Sequence, residues 1–276
     1  AILNIPLIII DSEKKYKKLV INPMYKSYSQ GLTLNPDILC NKIIKFPILW
    51  KNAKKLKADY IATGHYARIK KTKLGYVLLA GKDKTKDQSY FLSELCQEDL
   101  SHTLFPVGNL TKTQVREIAK KNNFTNWDKK GTRGICFVGK VNMKSFLEKK
   151  IKRKSGKIID LEGNIIGTHH GIQYYTIGQR IGPRIGIQLN NNITNQKLYV
   201  VEKRKNNITV APRNHSLLKK QLIKINKIHF INKNEKTTIN LKARIRHLGR
   251  LHKGKLIKKD NQYYFKFNKN LEALAE

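Results

Sequence analysis

Short apolar runs alternate with helical segments from Ile5 to about Arg153, the pattern that parallel α/β units produce. Leu7 to Ile10 and Tyr60 to Thr63 are the clearest strand candidates. Asn35 can cap a helix that begins at Pro36, with Asp37 in the first turn, where a negative charge suits the positive helix end. That helix carries Cys40 and runs towards Leu56, with a kink expected at Pro47. Thr111 and Gln114, in capping-box spacing, open another helix that stops near Asn122 and Asn123.

After KKIKRKSGK (149–157) the pattern changes to glycine-punctuated strands, which places a domain boundary there. Glu162-Gly163 and Asn206-Asn207 read as hairpin turns between apolar runs. From about Gln221 the stretches LIKINKIHFI, INLKARIRHL and YYFKFN alternate as strands of a small β-barrel or sandwich. The expected domains are 1–150, 151–217 and 218–276. The opening AILNIPLIIID reads as a helix end followed by a buried strand, an entry into the middle of an α/β domain. The chain is therefore expected to be part of a longer protein.

Composition narrows the function classes. With 276 residues, 40% of them hydrophobic, the chain can bury more than one core. No apolar run reaches membrane-spanning length, and the first ten residues lack the basic start of a signal peptide, so a cytoplasmic protein without a membrane partner is expected. Three cysteines, Cys40, Cys96 and Cys136, are too scattered for a disulfide framework. None forms a Cys-x-x-Cys pair, so no tightly bound metal is expected. Lys and Arg number 56 against 19 Asp and Glu, a formal charge of +37 that attracts phosphate backbones. Joint over-use of Lys, Asn and Ile also fits compositional drift, and charge alone leaves both readings open.

Cys40 sits near a positive helix end and near Lys42 and Lys45, all of which favour the reactive thiolate. Its neighbours Leu39, Ile43 and Ile44 equally fit a buried apolar cysteine, the reading local pattern favours. Cys136 lies in GTRGICFVG, either a mobile glycine-bounded loop or a short buried strand, and here too the pattern favours burial. Cys96 reads as core. DYIATGHY is a strand ending in a Thr-Gly-His turn, where Gly64 would let a nucleotide approach the backbone beside His65. Lys86, Asp87 and Gln88 open KDQSYFL, whose types hold phosphates and splayed bases, or simply start a helix with Asp87 as its cap. Arg244, Arg246, His247 and Arg250 form a basic ridge or a solvated strand face.

Taken in order and spacing, LNPDILCNKIIKF, DYIATGHYAR, KDQSYFL, LFPVGNLTKTQVREIA, GICFVG and HHGIQYYTIGQRIG resemble the bacterial tRNA-specific 2-thiouridylase family. The resemblance implies a partial PP-loop adenylating domain with a Rossmann-like parallel sheet, a small central domain and a truncated C-terminal β-barrel. It implies a sulfurtransferase that uses ATP, with Mg2+, to adenylate the C2 oxygen of a tRNA wobble uridine, which a cysteine persulfide then replaces by sulfur. Sulfur would come from a cysteine desulfurase or a sulfur-relay protein. Carried across, Cys136 bears the persulfide, Cys40 is its partner thiol and Asp37 a general acid or base. Asn35, Pro36 and Asp37 meet the target base, and Gly64 contacts ATP. His65, Lys86, Asp87, Gln88, Arg244 and Ile245 contact tRNA. The resemblance breaks where the family's phosphate-wrapping SGGVDS would stand, since no such stretch occurs here. It breaks again at Gly131-Thr132-Arg133 and at Gly182-Pro183-Arg184. An RNA-binding remnant unable to adenylate is the alternative.

Overall fold

A computed structural model describes residues 3–129, 131, 134–139, 141–182, 187–189, 197–232 and 236–272. Thr132, Arg133, Pro183 and Arg184, where the sequence departs from the family pattern, lie outside the described residues.

Two long helices build the first half. Helix 13–29 runs as Glu13–Tyr16, a wide π-type turn Lys17–Ile21, and Asn22–Ser29. Helix 36–55 repeats the plan as Pro36–Cys40, a wide turn Asn41–Lys45, and Phe46–Lys55. Each wide turn ends just before a helical proline, Pro23 or Pro47. Proline has no N–H for the carbonyl four residues back and its ring crowds that carbonyl, so the ladder relaxes around Leu19 and Ile43. The kink expected at Pro47 thus takes the form of a widened turn starting one residue after Cys40. Val20, Met24 and Tyr25 of the first helix bury against Cys40 and Ile44 of the second and against Ile135 and Leu147.

The parallel sheet is short: β1 (Ile61–Ala62) will pair with a strand some forty residues later, after the hairpin of β2 (Ala67–Thr72) and β3 (Gly75–Ala80). That partner is β4 (Thr103–Leu104), in register Ile61 with Thr103. The strand expected at Leu7 to Ile10 does not form, and Leu7 and Ile9 are each 86% exposed. A strand needs a neighbour for its backbone N–H and C=O groups, and none of the described strands pairs with this segment. The helix Lys112–Lys121 starts at the expected capping box, with Gln114 N–H bonded to Thr111 Oγ1 and Thr111 N–H to Gln114 Oε1.

The next sheet contains β5 (Gly156–Ile159), β6 (Ile165–His169), β7 (Gln188–Leu189), β8 (Leu198–Arg204) and β9 (Asn207–Pro212), in spatial order β7-β6-β5-β9-β8. Its first hairpin turns where expected, with Gly163 at φ +91°, and its second turns one residue earlier than expected, at Lys205-Asn206 with Lys205 at φ +54°, so that Asn207 already pairs with Arg204. The last sheet contains β10 (Lys219–Ile225), β11 (Thr238–Arg244), β12 (Leu251–Lys259) and β13 (Gln262–Glu272), all antiparallel, in order β10-β13-β12-β11. Strands β10 and β11 are its edges, so among the described residues the barrel is not closed. Strand β12 is not legible in the sequence because its lysines and Gly254 dilute the alternation. LIKINKIHFI is strand only to Ile225; beyond it, His229 Nε2 meets the Leu95 carbonyl at 2.9 Å and Gln97 donates to the Ile231 carbonyl at 2.9 Å. The segment leaves its sheet to brace the first half. Among the described residues no helix is long and apolar enough to cross a membrane.

Candidate active site

Asn35 starts the site. Its Oδ1 accepts from the backbone N–H groups of Asp37 at 3.0 Å and Ile38 at 3.3 Å, and Pro36 opens the helix. This cap directs Asp37 towards a loop nearly a hundred residues later, where Asp37 Oδ1 accepts from Cys136 N–H at 2.8 Å. On the other side of the same residue, Tyr16 donates its hydroxyl to the Cys136 carbonyl at 2.5 Å. Cys136 is thus held through both of its backbone polar groups.

The Cys136 segment is a tight turn rather than a buried strand. Ile135 and Gly139 exchange backbone hydrogen bonds at 3.1 and 2.8 Å, Phe137 lies at φ +63° and Gly139 at φ +85°. A bulky residue in the left-handed region is strained, and here Tyr16 packs edge-on against Phe137 at 5.5 Å.

The turn brings Cys136 to Cys40, whose Sγ donates to Cys136 Sγ at 3.6 Å. The two thiols are opposite in acidity. Cys136 is lowered to about 7, first by the Cys40 hydrogen bond and then by Lys45, which lies within hydrogen-bonding reach, with burial opposing. Cys40 is 0% exposed, and its role as donor, then burial, raise its pKa above the ordinary thiol value. Of the two readings that the sequence leaves open for Cys40, the buried cysteine that local pattern favours is the one found, and the low-pKa thiol is its partner. Burial and the donated proton outweigh the helix end, while Lys42 is drawn off to Glu94 at 2.5 Å. Cys96, expected in the core, is exposed at the start of helix Gln97–Ser101, where its N–H bonds to Asp99 Oδ2 at 2.8 Å as part of a cap.

In front of Cys136 opens a cavity of about 660 Å³ that Asp37, Asn41, Lys45, His65, Gln88 and His247 help to line. His65 is held neutral: burial, then the Lys45 charge, lower its pKa to about 3. Its Nε2 meets Lys45 Nζ at 3.4 Å and its Nδ1 pairs with Thr63 Oγ1 at 2.8 Å. Gln88 Oε1 accepts from Tyr66 N–H at 2.9 Å. A neighbouring cavity of about 720 Å³ shares Asp37 and adds Asn35, Pro36, Tyr90, Ile245 and Arg246.

Of the other expected site residues, Asp87 and Arg244 pair with each other at 2.9 Å, Lys86 is exposed, and Gly64 is exposed just after β1. Tyr16 and Asn41 were not singled out from the sequence. Asn41 follows a cysteine already under scrutiny, whereas nothing in the pattern marks Tyr16.

Paired thiols of opposite acidity, the acidic one lining a cavity and the other buried behind it, on an α/β frame, define a thiol-chemistry centre. The tRNA methyl transferase HUP domain family matches residues 1–140, and the tRNA methyl transferase PRC-barrel domain family matches residues 144–212. The tRNA-specific 2-thiouridylase MnmA of Karelsulcia muelleri is 41% identical over 96% of this chain and 77% of its own length. That of Malacoplasma penetrans is 43% identical over 96% of this chain and 72% of its own, and MnmA 1 of Geobacillus kaustophilus 45% identical over 83% and 62%. The chain belongs to the tRNA-specific 2-thiouridylase family, a family of sulfurtransferases.

Membership implies ATP binding. One local feature fits a nucleotide: Gly64 stands at the carboxyl end of a parallel strand, and a Cβ there would meet nothing within 4 Å. The phosphate-wrapping SGGVDS does not occur in this sequence.

Proposed function

We propose that this chain carries out the sulfur-transfer step of tRNA wobble-uridine 2-thiolation. The 3.6 Å contact between Cys40 and Cys136 carries the reading, because it joins an acidic thiol that can accept sulfur to a protonated one that can resolve it. A cysteine desulfurase or relay protein loads Cys136 as a persulfide. ATP bound beside Gly64, with Mg2+, would supply the activation that makes the C2 oxygen of the uridine a leaving group. The terminal sulfur of the persulfide attacks C2 and the activated oxygen departs. Cys40 then gives its proton to Asp37 and attacks Cys136 Sγ, which breaks the persulfide S–S bond, leaves sulfur on the base and closes a Cys40–Cys136 disulfide. In the other order, Cys40 attacks first and releases hydrosulfide, which attacks C2; the disulfide is the same product. Asn35, Pro36 and Ile245 line the cavity next to Asp37, and this is the side from which the base enters. A base must leave its stack to reach such a thiol. His65, Gln88 and the exposed Lys86 lie on the RNA path, and Asp87 and Arg244 shape it.

The test is to incubate the reduced chain with a cysteine desulfurase and cysteine, then map sulfur addition by mass spectrometry. The Cys136 peptide should gain one sulfur, and Cys136→Ser should gain none. Loading of Cys96, or of no cysteine, would overturn the proposal.

A further inference from the structure

Two residues that line the cavity in front of Cys136 each carry a buried polar atom without a partner among the described residues, Asn41 Oδ1 and His247 Nδ1. Folded proteins satisfy nearly all such groups, so two in one cavity call for a ligand that would satisfy them. Asn41 is 3% exposed, and its amide has only one sensible orientation. Nδ2 donates to the Phe91 carbonyl at 3.0 Å, and a carbonyl needs a donor, so Oδ1 is left as a bare acceptor. The His247 ring lies on that same Phe91, with centroids 4.3 Å apart. Burial, aided by Arg244 and opposed by Asp87 and Asp37, leaves the His247 pKa below the ordinary value, so the ring is neutral and has one N–H to give.

This inference rests on the proposal that a uridine presents C2 to Cys136. Beside C2 the unactivated uracil carries N3–H, a donor, and beyond it O4, an acceptor. Cytosine reverses both, with a lone pair at N3 and an amine at C4. A buried acceptor on a residue that lines the same cavity as the reacting thiol therefore welcomes uracil and leaves cytosine with two acceptors face to face.

We propose that Asn41 Oδ1 accepts the N3–H of the entering uracil while His247 Nδ1–H donates to O4, which makes Asn41 the residue that selects uridine over cytidine. Asn41 stands next to Cys40 in the helix, so the residue that reads the base and the thiol that completes the transfer move as one unit. Phe91 supports both contacts, through its carbonyl on Asn41 and its ring under His247.

The experiment is equilibrium binding, without nucleotide, of anticodon stem-loop RNAs that differ only at the wobble position: uridine, 3-methyluridine or cytidine. The native chain should bind the uridine loop about tenfold more tightly than either of the others. Asn41→Ala should reduce that ratio to about twofold or less, with the loss confined to the uridine loop. Asn41→Gln keeps the amide but displaces its acceptor by one methylene, and should lose the ratio as well; it decides the matter if Asn41→Ala does not fold. Equal binding of all three loops by the native chain overturns the Asn41 assignment and leaves the tRNA reading standing. So does an unchanged ratio in a folded variant. Failure of the native chain to bind any stem-loop overturns the tRNA reading itself.

Discussion

Arg244 donates from Nη1 to Asp87 Oδ2 at 2.9 Å, joining the end of β11 to the loop that carries Gln88. Asp87 is 2% exposed and also accepts from Gly81 N–H at 3.0 Å, Ser89 N–H at 3.1 Å and the Ser89 hydroxyl at 3.1 Å. Burial pushes its carboxyl pKa up, and the bonds from Ser89, Arg244 and Gly81 more than offset this, leaving it below the ordinary range. Asp87→Asn removes the counter-charge of a mostly buried guanidinium and should cost about 3–5 kcal/mol, read from the urea midpoint. A change within about 0.5 kcal/mol would show that the pair does not hold the two regions together.

Acid should destabilise the fold in a defined window. The His65 pKa falls from 6.5 to about 3 on folding, through burial and Lys45, and burial also lowers His169 and His247. A depressed folded pKa means that the unfolded chain binds more protons, so stability is full above about pH 6.5 and is lost as pH falls towards 3. Asp87 adds a further loss below its ordinary value of 3.8. In Cys136→Ser, which removes the thiol titration near 7, urea midpoints from pH 8 to pH 4 should therefore stay level and then decline below about 6.5. His65→Phe should flatten the first part of that decline.

Tyr16→Phe deletes the hydroxyl that holds the Cys136 carbonyl and keeps the ring against Phe137. The stability cost should be about 1 kcal/mol. The larger effect should fall on the turn: closure of the Cys40–Cys136 disulfide by diamide should slow about threefold or more, since the strained turn loses one of its two anchors. An unchanged closure rate would mean that Asp37 alone positions the loop.

The +37 formal charge predicts that tRNA binding falls steeply with salt. With six to ten phosphate contacts, affinity should drop about 10³-fold or more between 50 and 200 mM salt. A flat profile would assign the excess lysines to composition rather than to RNA.

What the sequence made legible was local. Asn35 before Pro36, and Thr111 three residues before Gln114, signal helix starts because a cap is completed within one turn, and both caps form. The two hairpin turns after Lys157 were readable for the same reason, the second to within one residue. Long-range pairing was not. Apolar Leu7 to Ile10 looked like a strand, but strand formation depends on a neighbour that the segment's own residues do not specify. The burial of Cys40 is legible from its apolar neighbours, but its acidity is not, because helix ends and nearby lysines can be read locally whereas the hydrogen bond to Cys136 comes from 96 positions away. Lys42 and Lys45 looked equivalent in sequence. Glu94 claims the first, and the wide turn ahead of Pro47 delivers the second to the cavity. Motif order across the whole chain conveyed what local patterns did not, namely that Cys40 and Cys136 belong to one site.

The central claim is the division of labour between these two thiols, and mass-mapped alkylation of the native chain by iodoacetamide from pH 5 to pH 10 tests it most directly. The Cys136 peptide should be modified along a titration curve centred near 7, while Cys40 stays protected throughout. In Cys40→Ala, which removes the donated hydrogen bond, the Cys136 curve should move up towards the ordinary thiol value of about 8.5. Faster modification of Cys40 than of Cys136, or a Cys136 curve already centred near 8.5 in the native chain, would contradict the account.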